Sequence, residues 1–475
     1  MIEELHLSNE TVHLISREQA WHYRILPKEE DASKTVLYCD ETSDEYALTA
    51  ELEIILGKII ELQRLPADDV TRLLNTYYFK EKGRHQLTAS SFNTGANDFL
   101  ENLISEAKGL KSSDIHIESY ENKCRVRVRI DGMMVERYLL KKDEYPALIN
   151  KIKIMANLDI AEKRLPQDGR INYRSTEDSF DIRVSVLPTL HGEKVVLRLL
   201  SNSATDIDLY SLGLSDFDLD NYLQGVKRPN GILLISGPTG SGKTTTLYAT
   251  LKLLNKETRN VLTIEDPIEY TLEGINQVQL KESIGLTFAS ALRTFLRQDP
   301  DVIMVGEIRD PETANMAIRA ALTGHLVLST IHTNSAWGTV SRLMDMGIPG
   351  FLVANTLNTT VAQRLLRLLC TECKTKVPFD KKIYPKQFKP FHEIPYHFSP
   401  KGCESCFYTG YKGRKAVYEV IPLDQELSIE IKQGNSYVDP LLKERGIKTL
   451  AENAFALFSD GETSIDEIYP LLFTY

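Results

Sequence analysis

The eight residues from Gly237 to Thr244 have the types and spacing best suited to chemistry in this sequence. They fit the phosphate-loop pattern G-x-x-x-x-G-K-[ST] at every fixed position. An apolar, β-branched stretch, 231–236, precedes them, and helical spacing begins at Thr244. Glycines let a backbone wrap closely around phosphate oxygens, and a helix N-terminus attracts an anion. The alternative is a glycine-rich turn that binds no ligand.

Within this loop, Lys243 can reach the β- and γ-phosphates of a nucleotide, and the Thr244 hydroxyl can hold Mg²⁺. The strand–loop–helix order around the motif favours nucleotide binding over a bare turn. The predicted nucleotide contacts are Gly237, Pro238, Thr239, Gly240, Ser241, Gly242, Lys243, Thr244 and Thr245.

Polar residues follow three further apolar stretches that read as strands. Ligands bind at the carboxyl ends of the strands in an open α/β sheet, so these residues should converge there. Glu307 suits the orientation of the attacking water, Glu265 and Glu269 suit the metal shell, and His332 suits a γ-phosphate sensor. Carboxylates that merely cap loops after strands are the alternative for each residue taken alone.

Two C-x-x-C pairs form a second specific pattern, Cys370 with Cys373 and Cys403 with Cys406. The 29 residues from 374 to 402 separate the pairs. Four thiolates can hold Zn²⁺ tetrahedrally and leave no open position, so the predicted site is structural. A redox pair or unrelated buried thiols are the alternatives.

Composition sets limits on the rest of the molecule. The chain has 475 residues, of which 42% are hydrophobic and 26% charged, and its net charge is −10. That charge argues against sequence-independent binding of nucleic acid, because such binding needs a basic surface. The sequence has no run of 18 apolar residues and no secretory signal at its acidic start, so we expect a cytosolic protein. Six cysteines in such a chain do not suggest a disulfide scaffold.

The chain divides into three predicted domains. Residues 1–84 read as a small α+β domain, and the polar residues 85–96 as a linker. Residues 97–200 read as a helix followed by strands, and one face of the sheet that these strands form should be exposed to solvent. Residues 201–208 read as a second linker. Residues 209–475 read as a doubly wound α/β domain that contains the zinc motif 370–406 and turns helical over 411–475. Its predicted strands are 231–236, 261–264, 301–305 and 326–331.

Five stretches, in family order, resemble the ATPases that assemble type II secretion pseudopili and type IV pili, the GspE/PilB family. The likeness is strong over 97–475 and weaker over 20–84. The matching stretches are RLPQDGR at 164–170, LPTLHGEK at 187–194, the aspartate box TIEDPIE at 263–269, the Walker B segment DPDVIMVGEIRD at 299–310 and the histidine box TGHLVLSTIHTN at 323–334.

The resemblance implies a RecA-like P-loop core preceded by a PAS-like α+β domain, called N2, and by a small N-terminal docking domain. It implies a homo-hexamer with ATP at the subunit interfaces, and phosphate-contacting arginines from N2, here Arg183 and Arg198. A tetracysteine zinc insertion is typical of assembly rather than retraction ATPases. The chain departs from the family pattern at Asn334-Ser335 and at Trp337.

The resemblance also implies a cytoplasmic motor at the inner membrane. It would act on a polytopic platform protein of the GspF/PilC type, with recruitment through a GspL-like protein. Residues 1–30 lack the motif with which some relatives bind cyclic di-GMP. A pilus or DNA-uptake motor is the near alternative, and a zinc-containing nucleic-acid translocase or a non-hydrolysing scaffold is the distant one.

Overall fold

The computed structural model describes residues 14–15, 17–30, 34–77, 96–174, 179–200, 208–380, 383–385, 387–435 and 437–473. The chain separates into two compact units, residues 1–93 and 94–475. The predicted linkers 85–96 and 201–208 lie almost entirely outside the described residues, as does the segment 1–13. None of the described helices is long and apolar enough to cross a membrane.

The first unit is a small α+β structure, as predicted. Strand β2 pairs antiparallel with β1 and parallel with β3, and the helices pack on this sheet around Leu26, Leu37, Leu52 and Leu74. Its elements are helices α1 (Arg17–Tyr23), α2 (Glu45–Leu56) and α3 (Ala67–Tyr77) and strands β1 (Ile25–Glu30), β2 (Lys34–Asp40) and β3 (Ile59–Leu65).

The second unit opens with an antiparallel sheet of six strands, in the order β6-β5-β4-β9-β8-β7. Apolar and charged residues alternate along its strands, so one face is buried and the other meets solvent, as predicted. Strand β6 was not predicted from the sequence. The elements are α4 (Ala96–Gly109), α5 (Tyr145–Met155), β4 (Asp114–Ser119), β5 (Cys124–Ile130), β6 (Met133–Leu140), β7 (Gln167–Arg174), β8 (Ser179–Thr189) and β9 (Gly192–Leu200).

A buried acid holds three strands of this sheet together. The carboxylate of Glu118 accepts from Arg125 Nε at 2.9 Å and Arg127 Nη2 at 2.7 Å, and lies 3.1 Å from Lys194 Nζ. Burial alone would raise its pKa, but these three cations outweigh burial and lower the pKa of Glu118 to about 2. The charged form is therefore the one that stabilises the fold.

We expect Glu118→Gln to lower the free energy of unfolding near pH 7 by about 3 kcal/mol. A depressed folded-state pKa adds stability above the unfolded-state value, and that stability is lost as the pH falls towards 2. The gap between wild type and variant in urea unfolding should therefore shrink at about pH 3. Glu121→Gln, at an exposed acid, is the control. An equal gap at both pH values would contradict this role.

The remainder of the second unit is a sheet of seven strands in the order β12-β11-β13-β14-β10-β15-β18. Its strands are parallel except for the antiparallel pair β15/β18, and helices pack on both faces, which confirms the predicted doubly wound α/β domain. The strands are β10 (Gly231–Ser236), β11 (Val261–Glu265), β12 (Asn276–Gln279), β13 (Val302–Val305), β14 (Leu326–Ile331), β15 (Leu357–Leu369) and β18 (Tyr411–Pro422).

The helices of this part connect and cover the parallel strands. They are α6 (Asp216–Val226), α7 (Lys243–Leu254), α8 (Phe288–Phe295), α9 (Pro311–Leu322), α10 (Gly338–Asp345), α11 (Gly350–Thr356), α12 (Gln425–Gln433), α13 (Asp439–Glu444), α14 (Leu450–Ser459) and α15 (Ile465–Ile468). A two-stranded sheet pairs β16 (Thr375–Pro378) with β17 (Tyr396–Ser399). Strands β10, β11, β13 and β14 are buried along their whole length.

The prediction that residues 411–475 are helical is wrong at its start. Residues 411–422 form β18, which pairs with the 13-residue strand β15 from Thr359↔Pro422 to Leu369↔Tyr411. Both strands mix polar with β-branched residues. Pairing of the two strands satisfies the backbone hydrogen bonds of both along their length. The cysteine segment 370–406 is consequently an insertion at the tip of a long hairpin.

Candidate functional site

The phosphate loop leaves the buried strand β10 and enters α7, as predicted. Gly237 has φ 150° and Gly242 has φ 88°, conformations that favour glycine. A Cβ at Gly237 would lie 2.5 Å from the Gln363 carbonyl oxygen, so no other residue fits there without displacement. Pro238, Thr239, Gly240 and Thr244 are exposed, and Thr245 is half-buried.

Lys243, the first residue of α7, folds back onto the loop. Its Nζ donates to the carbonyl oxygens of Gly237 at 2.8 Å and Pro238 at 3.0 Å. Burial lowers the pKa of Lys243, and the negative charge of Glu307 opposes that shift. Ser241 Oγ is buried without a hydrogen-bond partner among the described residues. The loop thus offers a cation and an unpaired hydroxyl to a phosphate group.

Glu307 and His332 meet at the carboxyl edge of the sheet. They follow the neighbouring parallel strands β13 and β14, and His332 Nε2 lies 3.4 Å from Glu307 Oε2. Arg309 pairs with the other oxygen of Glu307. The Glu307 side chain is 14% exposed, and the His332 side chain is 50% exposed. A carboxylate held between two cationic or hydrogen-bonding groups beside a phosphate loop is suited to orient water.

Glu265 occupies a different environment from the one the sequence suggests. It is 3% exposed, and its carboxylate accepts from Tyr248 Oη, from Thr263 Oγ1 at 2.8 Å and from Gln277 Nε2 at 3.0 Å. Three donors within the fold bind this carboxylate, which therefore ties α7 to β11 and β12; its place in the metal shell stays a prediction. Burial, followed by the charge of Glu265, raises the pKa of Tyr248.

Glu269, by contrast, is 38% exposed and lies opposite the arginine predicted on the six-stranded sheet. Arg183 Nη1 is 3.5 Å from Glu269 Oε2, and Arg183 Nη2 donates to the Ile268 carbonyl oxygen at 2.5 Å. Arg198 sits directly across from Arg183 in the β8/β9 register, but its Nε donates to Asp114 at 3.0 Å. The structure brings Arg183 to the aspartate box and holds Arg198 on its own sheet.

Two residues of β15 complete the surroundings of the phosphate loop, and neither was predicted from the sequence. Gln363 Oε1 accepts from Thr246 Oγ1 at 3.0 Å. Arg364 Nη2 donates to the Asn334 carbonyl oxygen at 3.1 Å, just past His332. The apolar and polar pattern of 357–369 could have indicated a strand, but nothing local to it indicates that it borders β10.

The four predicted cysteines lie together, with all their sulfur atoms within 4.8 Å of one another. The Sγ atoms of Cys403 and Cys406 are 3.7 Å apart. Burial alone would raise the pKa of Cys406, but the Cys403 and Gly410 amides, each donating to its sulfur at 3.2 Å, contribute to lowering it. These amides stabilise the thiolate of Cys406, whereas burial raises the pKa of Cys373 and of Cys403. The closeness of the four sulfur atoms is what fits a tetrahedral Zn²⁺ ligand set.

These features define the class of protein. A phosphate loop between a buried parallel strand and a helix, with an acid and a histidine at the ends of neighbouring strands, is the site of a P-loop nucleoside triphosphatase. The family model described as Type II/IV secretion system protein matches residues 93–470, and the chain belongs to that family, in its GspE branch. It is accordingly an ATPase of the secretion and pilus kind.

Relatives with assigned names are similar over most of the chain. The putative type II secretion system protein E of Escherichia coli (strain K12) is 46% identical over 376 residues, 77% of this chain and 74% of the relative. The type II secretion system ATPase E of Vibrio cholerae serotype O1 is 44% identical over 371 residues, 77% of this chain and 73% of the relative.

Solved structures share the fold. The crystal structure of the pilus retraction motor PilT with bound ADP gives a TM-score of 0.54 at 26% identity and covers 78% of this chain and 95% of the motor. The X-ray structure of the Legionella pneumophila ATPase DotB gives a TM-score of 0.59 at 22% identity and covers 79% of this chain and 95% of DotB. At this identity the comparison shows a shared fold and nothing further.

Proposed function

We propose that this ATPase is a homo-hexameric motor that assembles a type II secretion pseudopilus or a type IV pilus. It would use ATP and Mg²⁺, with Lys243 on the β- and γ-phosphates and Thr244 on the metal. The observation that carries the proposal is the meeting of Glu307 and His332, 3.4 Å apart, in a chain whose residues 93–470 match the secretion family.

In this proposal Glu307 orients the attacking water and His332 senses the γ-phosphate. Glu269, which is exposed next to Arg183, is the better candidate for the metal shell, since Glu265 is occupied by three donors. The six-stranded sheet would be the PAS-like N2 domain, supplying Arg183 and Arg198 to phosphate at a subunit interface. Movement of N2 against the core would transmit the work of hydrolysis.

The receiver of that work would be an inner-membrane platform protein of the GspF/PilC type. The unit formed by residues 1–93 would dock to the membrane complex, with a GspL-like protein as a recruiter. The motor would therefore be cytoplasmic and peripheral, with no direct contact to nucleic acid. The cysteine cluster would hold a structural Zn²⁺ at the tip of the β15/β18 hairpin.

Gene replacement in the host cell tests this function. A chromosomal Lys243→Ala copy should abolish one surface process while the cells grow normally, because the variant cannot bind ATP productively. Loss of secreted enzymes indicates a secretion motor, loss of pili a pilus motor, and loss of transformation a DNA-uptake motor. Normal export, piliation and transformation would refute the proposal. ATPase activity of the purified chain that rises with added DNA would favour the translocase.

A role for the N2 arginine predicts a catalytic defect without a binding defect. Arg183→Ala in the full chain should lower kcat by about tenfold or more, because a guanidinium can neutralise charge that develops on phosphate. The affinity for ADP, measured by fluorescence titration, should change little. Arg183→Lys should recover only part of the rate, since it keeps the charge and loses the planar fork.

The control for this prediction is Arg174→Ala, at an exposed arginine near the end of β7 on the same sheet. It should leave kcat unchanged. Wild-type turnover in Arg183→Ala would remove this arginine from the mechanism and leave its contact with Ile268 as a purely structural one.

A further inference from the structure

Glu419 is a buried carboxylate in none of the nucleotide-binding motifs. It lies on β18 and is 4% exposed. Moving an ionised carboxylate out of water is costly unless hydrogen bonds replace its hydration. Glu419 pairs with Ala362 of β15, which in turn pairs with Ser236 at the end of β10, so this buried acid lies close to the phosphate loop.

The two oxygens of Glu419 bind two separate parts of the chain. Oε1 accepts from the Ala336 amide at 2.8 Å, and Oε2 accepts from the Leu450 amide at 3.2 Å. Ala336 lies in the segment 332–337, here called the histidine loop, and Leu450 is the first residue of α14. A single carboxylate thus clamps the histidine loop to the N-terminus of a C-terminal helix, where the helix dipole favours negative charge.

The histidine loop is also tied directly to the nucleotide site. The Ser335 carbonyl oxygen accepts from Ser236 Oγ at 3.4 Å, immediately before the phosphate loop. Asn334 accepts from Arg364, and His332 faces Glu307 at 3.4 Å. Because the histidine loop is short and held at each of these contacts, we expect a shift of Ala336 to change the distance between His332 and Glu307.

Two charged side chains from other elements, Asp439 and Arg364, act on the Glu419 carboxylate. Burial raises the pKa of Glu419, Asp439 adds to that rise, and Arg364 opposes it. A cavity of about 260 Å³ adjoins the carboxylate and is lined by Asn334, Ser335, Trp337, Asp439 and Leu450 among others. The histidine loop and the start of α14 both line this cavity, and the Glu419 carboxylate accepts a hydrogen bond from each of them.

We propose that Glu419 is a positioning residue for ATP hydrolysis, which sets the distance between His332 and Glu307 by clamping the histidine loop to α14. The inference rests on the proposed role of His332. It makes the C-terminal helices part of the machinery that senses the γ-phosphate, so that a partner bound to those helices would change turnover without touching ATP.

Glu419→Gln is the sharpest test, because the side chain keeps its volume and loses one of its two acceptors. We expect kcat to fall about tenfold or more, since small misplacements of catalytic groups are costly, while the dissociation constant for ADP changes less than about twofold. Glu118→Gln is the matched control. It is the same chemical change at a glutamate that is also 4% exposed, and it lies on β4 of the six-stranded sheet, away from both parts of the clamp. A purely structural role would shift Tm in both variants and leave kcat unchanged in both.

Hydrogen exchange on the wild-type chain supplies a measurement that needs no variant. A non-hydrolysable ATP analogue should raise the protection of the amides of Ala336 and Leu450 together. Protection of the histidine loop alone would overturn the clamp. His332→Ala separates the two proposals. If His332→Ala slows hydrolysis and Glu419→Gln does not, the proposed clamp is wrong and the proposed role of His332 stands. If it keeps the wild-type rate, the role of His332 fails and the clamp with it.

Discussion

Glu307→Gln should lower the rate of ATP hydrolysis by about a hundredfold or more and leave ATP binding intact. The carboxylate lies at the end of β13, 3.4 Å from His332 Nε2 and paired with Arg309. The amide of glutamine has nearly the same shape but cannot accept a proton or order water with a full negative charge. The phosphate loop, which supplies the affinity, is unchanged.

Steady-state phosphate release and titration with a fluorescent ATP analogue measure the two effects separately. Retained binding shows that the variant is folded. Glu312→Gln is the control, because it makes the same chemical change five residues along the chain, on an exposed side chain of α9. A variant that turns over ATP at the wild-type rate would show that Glu307 is not the water-orienting acid. Glu269 would then become the candidate, since Glu265 is already occupied within the fold.

The purified chain should carry about one Zn²⁺, and Cys373→Ser should lose it. Four sulfur atoms within 4.8 Å complete one closed tetrahedral set, and three thiolates cannot. The cysteines close the tip of the β15/β18 hairpin, so loss of the metal should open residues 370–406 to protease. Because the phosphate loop follows β10 and lies outside the cysteine segment, the folded fraction of the variant should still bind ATP.

Metal analysis of protein prepared without chelator, followed by limited proteolysis, tests the zinc site. Cys124→Ser is the matched control, since Cys124 is a buried free cysteine outside the cluster and its loss should leave the zinc content unchanged. A chain free of zinc would refute the site and return attention to a redox role for the two C-x-x-C pairs.

The sequence by itself was sufficient for several features that depend on short contiguous segments, although strands β6 and β15 were not predicted and 411–422 was given as helical. The phosphate loop is such a feature, because glycine conformations and a following helix are properties of adjacent residues. The apolar strands that end in Glu307 and His332 are another, since burial on both faces leaves an apolar run that stops where solvent begins. The close spacing within each C-x-x-C pair likewise predicted the cysteine cluster, which the fold assembles from segments 33 residues apart.

The tertiary structure alone decided which segments became neighbours. Gln363 and Arg364 reach the phosphate loop because β15 pairs with β10, and Thr246 and Gln363 are 117 residues apart. The helical prediction for 411–422 failed because antiparallel pairing with β15 determined that segment. Glu419 joins Ala336, 83 residues away, to α14 for the same reason. Hydrogen-bond partners across a sheet follow from strand order, which is set by packing of the whole core and leaves no mark on local residue spacing.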